Sequence, residues 1–491
     1  MSLETRSYDL VVIGGGPAGI WGATTAAVLG KTVALVDSNQ ELGGAGINTG
    51  TVPSKTLRET ALSLSGIKAR NLYGVDLSLR REATVGDFLR HEQKVKSGLN
   101  ALFAQRLAAY RTDVFYGSGS FVDSHTIRVG GHSAQRVAGD RRETSTDALL
   151  HGERILIATG SSPVRPPIFP FGPGVYDSDT ILNLDRLPKT MAVIGAGVIG
   201  SEYASTFAAL GTEVHLIHGQ ETLLPFLDGE VARALVSQMK SNGIVFHWNE
   251  RAEACTVGSA TSPNPSGSVT LALRSGESFA VDAALVAAGR KGNVEQLNLL
   301  AAGVGVAERG LIRVDEHFAT NVPHIYAAGD VIGFPALAST SMEQARRAIQ
   351  HALGGGVHSP IPQLLPTGIF TIPEVGMVGE TEENLKRNNV DYIVGRASYR
   401  DSGRGQIIGD SNGFLKLLFR RENMQLLGVH VLGEQATDVV HVGLMVLLSR
   451  GTADVFDMAC FNLPTLGALY KFATFDAMQN RRKPSTSLQS A

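Results

Sequence analysis

Asp9-Leu10-Val11-Val12-Ile13-Gly14-Gly15-Gly16-Pro17-Ala18-Gly19 is the stretch on which the fold depends. Asp9 to Ile13 is a short apolar run, Pro17 to Leu29 has the small residues of a close-packed helix, and Thr32 to Val36 is a second apolar run. This order predicts strand, turn, helix, strand. Gly14, Gly15, Gly16 and Gly19 allow a tight turn and close backbone approach to a ligand. The helix opening at Pro17 and Ala18 offers unpaired N–H groups and about half a positive charge. A pyrophosphate is the group such a turn suits. Asp37 then closes the second strand, where a carboxylate can accept hydrogen bonds from both hydroxyls of an adenosine ribose. Among 56 glycines a lone glycine motif is weak; the strand, the helix and the acidic residue around it make this one specific.

The pattern recurs. Met191 to Ile194 reads as a strand, Gly195-Ala196-Gly197-Val198-Ile199-Gly200 as a glycine turn, Gly200 to Leu210 as a helix and Glu213 to His218 as the second strand. Two such units imply two nucleotide sites. An acid at the end of the second strand would select NAD, and arginines would accommodate the 2′-phosphate of NADP. The segment offers neither, only His218 followed by Gly219 and Gln220. An imidazole with a reference pKa of about 6.5 donates to a hydroxyl when neutral and attracts a phosphate when protonated. On that reading the site tolerates both dinucleotides and favours NADPH as pH falls through the histidine's titration. The other reading, an incidental histidine with specificity set elsewhere, is equally open.

At 491 residues the chain exceeds a single core, and about three domains are expected. Hydrophobic residues at 43% and charged residues at 18% are an ordinary globular balance. A formal charge of −2 with no basic stripe gives no sign of a nucleic-acid partner. The apolar stretch Leu10 to Leu29 lacks a basic leader and is interrupted by glycines, so it does not read as a secretory signal. No run is long enough to cross a bilayer, so no membrane partner is expected. Only Cys255 and Cys460 are present, which argues against a disulfide framework and for a reducing, cytoplasmic compartment. Both are read as structural residues, and nothing in the sequence suggests a metal site.

The expected fold class is α/β. Two Rossmann-type nucleotide-binding domains precede a C-terminal α+β domain. The first domain is expected to be discontinuous, 1–155 and 285–355, with the second at 156–284, the third at 360–480 and a disordered tail at 481–491. Asp87 to Arg111 reads as a long amphipathic helix of the first domain, followed by short strands from Asp113 to Val129 around a Gly117-Ser118-Gly119 turn. Residues 254–280 read as a hairpin at the edge of the second domain. Thr367 to Gly376, Gly413 to Phe419 and Leu426 to Leu432 read as antiparallel strands, with helices starting at Ala436 and Gly467.

From about Tyr8 to Tyr470 the chain resembles the pyridine nucleotide-disulfide oxidoreductase family, which includes lipoamide dehydrogenase, glutathione reductase and mercuric reductase. The segments that carry the resemblance stand in family order: Gly43-Gly44 with Val52-Pro53-Ser54-Lys55, Ala158-Thr159-Gly160, Gly289-Arg290, and Ile325-Tyr326-Ala327-Ala328-Gly329-Asp330. The resemblance implies FAD in the first unit and a nicotinamide dinucleotide in the second. It places Asp330 at the flavin ribitol, Thr159 and Gly160 at the flavin, and the C-terminal domain in a homodimer or larger homo-oligomer. It also implies that Lys55 lies near the flavin and pairs with Glu202. A cation there favours the reduced ring, and the carboxylate limits the cost of burying that charge.

One departure from the family pattern is informative. The reductases carry two cysteines just before the Pro-Ser-Lys segment; here Gly46 and Thr51 occupy those positions in Gly44-Ala45-Gly46-Ile47-Asn48-Thr49-Gly50-Thr51. Their acid–base partner normally sits in a His-Pro-Thr segment with a following Glu, and here the residues are Leu463-Pro464-Thr465 and Ala468. A thiolate nucleophile and its imidazole base cannot be improvised from these side chains. Tyr176 to Asp179, Gly195 to Phe207, Leu223 to Asp228, Gly50 to Lys55 and Pro366 to Glu374 are most similar to the soluble pyridine nucleotide transhydrogenase branch, which also has Thr in place of the second cysteine. That resemblance implies ping-pong hydride exchange from NADPH to NAD through FAD, with Lys55, Glu202 and Thr51 as the catalytic candidates. An NAD(P)H:quinone or acceptor reductase is the alternative within enzymes, and a non-catalytic flavin redox sensor is the reading outside them.

Overall fold

The computed structural model describes residues 5–65, 84–135, 142–144, 147–258, 269–354 and 364–482. The expected tail beyond Arg482, the junction at 360 and the middle of the 254–280 segment lie outside the described residues.

The strands Ile325–Ala327, Asp147–Ile157, Thr5–Ile13, Val33–Asp37 and Asp113–Phe121 pair in that order as a parallel sheet. Leu10, Val11 and Val12 are fully buried. Helices cover such a sheet, which is why these strands read as continuous apolar runs. Thr126–Gln135 extends the sheet antiparallel and pairs back onto Asp147–Ile157. The helix Pro17–Val28 follows the central strand, which places the first glycine turn where strand order reverses, the usual ligand crevice of an open α/β sheet.

A second parallel sheet runs Ile244–Trp248, Glu213–His218, Thr190–Ile194, Ala283–Val286, Val175–Asp177. Its helix Val198–Ala209 again follows the central strand. The third sheet, Thr367–Ile369, Val375–Gly379, Leu426–Leu432, Phe414–Arg420, Tyr392–Ser398, is antiparallel. Helices Ala436–Leu448 and Leu469–Arg481 accompany it.

The α/β class and both Rossmann units stand as expected, and the structure differs from expectation in several details. Gly117-Ser118-Gly119 is not a turn: it lies inside the strand Asp113–Phe121, with a register shift between Tyr116 and Ser118. Glycines inside a strand commonly mark such a bulge. The reversal comes at Asp123, whose carboxylate accepts from the His125 and Thr126 amides. The expected hairpin over 254–280 is a three-stranded antiparallel sheet, Ala252–Val257, Val269–Leu273 and Ser278–Val281. Thr367 to Gly376 is two strands rather than one, divided around Pro373. The sequence reading missed the helices Gly229–Ser241 and Ala338–Ala352.

Candidate active site

The two glycine turns are built alike. Gly14 and Gly195 have φ of 108° and 101°. A Cβ on either would lie 2.3 Å or 2.4 Å from the carbonyl of Ala158 or Ala287, just past the end of the neighbouring strand. At the end of each turn, a Cβ on Gly19 or Gly200 would fall 1.7 Å or 1.9 Å from the oxygen of Gly14 or Gly195. No other residue fits at these four positions. Gly16 and Gly197 cap their helices without any side-chain hydrogen bond, and neither first turn carries an acidic residue, so the N–H groups are free for phosphate oxygens.

The strand-end residues match as well. Asp37 Oδ2 accepts from Gly15 N at 2.6 Å, and His218 Nδ1 faces Ala196 N at 3.4 Å; both pairs are 22 residues apart. A Cβ on Gly15 would come 2.7 Å from the Asp37 carboxylate, so Gly15 leaves room for the acid and Ala196 stands where the partner is a histidine. Burial pushes the Asp37 carboxyl up, against the Asn39 and Gly15 amide hydrogen bonds. Burial pushes His218 down, the Thr222 backbone opposing it. Its protonated form therefore lies below about pH 6.5. The expected shift toward NADPH as pH falls through the His218 titration is thereby moved to lower pH.

Both turns open on one cleft of about 1870 Å³, well above the roughly 300–1,000 Å³ of a one-ligand pocket. Gly14 to Ala18, Asp37, Gly44, Gly50, Thr51, Lys55, Gly117, Thr159, Gly160, Gly289, Arg290, Gly329 and Asp330 line it. Gly197, Val198, Ile199, Gly200 and Glu202 line it from the second unit. Gly19, Gly43, Gly195 and His218 do not line it; the three glycines shape the turns behind the wall. Arg290 donates to the Ser161 hydroxyl at 2.8 Å and to its carbonyl at 2.6 Å, and that hydroxyl donates to Asp330 at 2.7 Å. The resulting Arg290–Ser161–Asp330 chain, with Gly289 next to it, ties the two units together at the cleft wall.

Three segments meet at Lys55. Its ammonium lies 2.6 Å from Glu202 Oε2 and 5.0 Å over the Phe370 ring. The Phe370 amide donates to the other Glu202 oxygen at 2.9 Å. Glu202 is 4% exposed, while the Lys55 side chain keeps 25% of its surface facing the cleft, so the carboxylate anchors the cation from behind. Arg58, one helical turn on, donates to the Thr371 carbonyl at 3.0 Å and pairs with Glu374 at 3.1 Å. Phe370, Ser161 and Arg58 were missed in the sequence, because nothing local marks a loop amide or a hydroxyl that acts across domains.

The buried hydroxyls of Thr159 and Tyr203 line the cleft without a partner. Buried polar groups are nearly always satisfied, so these two fit a bound polar ligand. Gly46 packs against Pro17, where a Cβ would come within 2.8 Å of the proline ring, and Thr51 is exposed at the start of its helix. No cysteine lines the cleft. Cys255 is buried and Cys460 exposed, both unpaired and both away from the cleft.

Paired dinucleotide turns on one shared cleft define a flavin- and nicotinamide-type oxidoreductase. The family model described as pyridine nucleotide-disulphide oxidoreductase matches residues 8–352, and its dimerisation domain matches 365–472. The chain belongs to this family. It is 45% identical over 478 residues to the soluble pyridine nucleotide transhydrogenase of Mycobacterium tuberculosis strain H37Ra, covering 97% of this chain and 98% of that one. It is 39% identical over 483 residues to the transhydrogenase of Pseudomonas putida strain W619, covering 97% and 99%. Among solved structures it is similar to the HOCl-induced flavoprotein disulfide reductase RclA from Escherichia coli, with a TM-score of 0.83, 28% identity and coverage of 95% and 99%. It is also similar to LpdA from Mycobacterium tuberculosis, with a TM-score of 0.84, 25% identity and coverage of 96% and 99%.

Proposed function

We propose that the protein is an FAD-dependent soluble transhydrogenase that moves hydride from NADPH to NAD at a single cleft without a redox disulfide. The observation that carries this reading is a cleft that both dinucleotide turns enter and no cysteine lines. When bound, FAD supplies a ring that accepts and returns a hydride. The chain supplies orientation and charge. The first turn and Asp37 hold the flavin dinucleotide's pyrophosphate and adenosine, and Asp330 and Thr159 hold its polyol and ring. The second turn holds the nicotinamide dinucleotide. Lys55 keeps a positive charge at the cleft and Glu202 fixes its position; Thr51 stands where a thiol would otherwise divert electrons.

The flavin domain is 1–155 with 285–355, the nicotinamide domain 156–284 and the interface domain 360–480, the last joining two copies as a homodimer. No helix among the described residues is long and apolar enough to cross a membrane. Two unpaired cysteines support placement in a reducing cytoplasm. The test is anaerobic reduction of the holoenzyme by NADPH, then parallel mixing with NAD and with a quinone. Faster reoxidation by NAD is expected. Faster reoxidation by quinone makes the protein an acceptor reductase, and inertness toward both makes it a sensor.

A further inference from the structure

The two units differ most where the adenosine ribose would lie. Asp37 offers the first a carboxylate. His218 offers the second a half-buried imidazole with its Nδ1 turned to the Ala196 amide, which provides no charge for a 2′-phosphate.

A cation reaches this place from another part of the chain. Glu250 N donates to the His218 carbonyl at 3.0 Å and Asn249 N to the Gln220 carbonyl at 3.4 Å. Asn249 has a φ of 57°, which bends the chain after Trp248 back toward the end of the neighbouring strand. Arg251 is thereby laid over Gly219. A Cβ on Gly219 would stand 3.0 Å from Arg251 Nε and 3.6 Å from a terminal nitrogen, so the glycine leaves the space the guanidinium uses. Arg251 is exposed, and among the described residues its side chain makes no hydrogen bond and no ion pair.

An unpartnered guanidinium at the end of the second strand of a Rossmann unit is where this fold meets the ribose 2′ position. We propose that Arg251 is the specificity-determining residue for NADP(H), binding the adenosine 2′-phosphate beside Gly219. A guanidinium presents paired donors that match phosphate oxygens, which a lysine cannot reproduce. Because Arg251 is exposed, its charge stays solvated when NAD occupies the site. The strand itself ends on His218 rather than an acid, and of the nearby carboxylates Glu250 accepts from the Ser275 amide at 3.3 Å and Glu221 from the Asn249 side chain at 3.4 Å. One site can thus take both dinucleotides in turn, as transhydrogenation requires.

The assignment rests on the reading of the second unit as the nicotinamide dinucleotide site, and the test separates the two. The FAD-loaded protein is titrated calorimetrically with 2′,5′-ADP and with 5′-AMP. The native protein is expected to bind 2′,5′-ADP about tenfold or more tightly, a preference that weakens as salt is raised. Arg251→Ala abolishes most of that preference and leaves 5′-AMP affinity unchanged, and Arg251→Lys restores part of it. In turnover, Arg251→Ala raises the KM for NADPH about tenfold, with kcat and the constants for NAD unaltered. A preference that survives Arg251→Ala, or is absent from the native protein, overturns the assignment. A native protein that binds neither compound overturns the reading of the second unit itself.

Discussion

Lys55 shows how a single residue's environment sets its use. Its ammonium has a buried carboxylate on one side, an aromatic face on another and the open cleft on the third. Met in its place removes the charge and leaves Glu202 with only the Phe370 amide and the Ser54 hydroxyl, the latter at 3.4 Å. No glycine turn is touched, so flavin is retained. Lys55→Met is expected to slow flavin reduction by NADPH about 10²- to 10³-fold, the usual cost of losing one preorganised electrostatic group. Stopped-flow absorbance checks the rate and a visible spectrum checks the flavin content; an unchanged rate removes Lys55 from the chemistry. The pairing was legible only through the family resemblance. Its two members are 147 residues apart, and no local pattern in the chain points from one to the other.

Between elements, the joint that positions the nicotinamide unit is a buried charge cluster away from the chemistry. Lys416, on the strand Phe414–Arg420, is fully buried and lies 2.7 Å from Asp228, 2.9 Å from Glu230 and 2.6 Å from Glu382. Asp228 caps the helix Gly229–Ser241 of the second sheet and accepts from the Glu382 amide on the third. Burial alone would lower the pKa of Lys416, but hydrogen bonds to Asp228 and Glu382 raise it. Burial alone would raise the three carboxylates, but their hydrogen bonds and the nearby positive charge hold all three low. A lowered carboxylate stabilises the fold above its unfolded pKa of about 4, and a raised lysine stabilises it below about 10.4. The cluster is therefore at full strength across neutral pH, fades as acid protonates the carboxylates, and fades on the alkaline side as pH rises from about 10.4 through the raised lysine value. Lys416→Met strands buried carboxylates and is expected to cost about 3–5 kcal/mol at pH 7. Denaturant unfolding of the holoenzyme should show that loss shrinking as the pH is taken below 4; a loss independent of pH would mean packing, not charge, holds the joint.

For the whole molecule, the third domain leaves several large apolar side chains exposed. Met445 on one helix, Met458 on the next, and Phe472 and Phe475 on the last are 57%, 78%, 43% and 41% exposed, within the segment that matches a dimerisation domain. Large exposed apolar patches mark association sites. The double change Met445→Glu with Phe475→Glu is expected to shift the proposed homodimer to monomer in sedimentation velocity while each chain keeps its flavin. A dimer that persists would place the interface elsewhere.

The sequence alone determined the two dinucleotide units and the missing sulfur relay. Both are local features: glycines demanded by a turn, apolar runs demanded by a buried sheet, and residue types that cannot form a thiolate. Tertiary structure alone decided what faces these units. Phe370 reached Glu202, Ser161 bridged Arg290 to Asp330, Arg251 came to lie over Gly219, and Lys416 gathered three acids from two segments. Each of these contacts joins segments far apart along the chain, and separation in sequence places no limit on which side chains packing brings together.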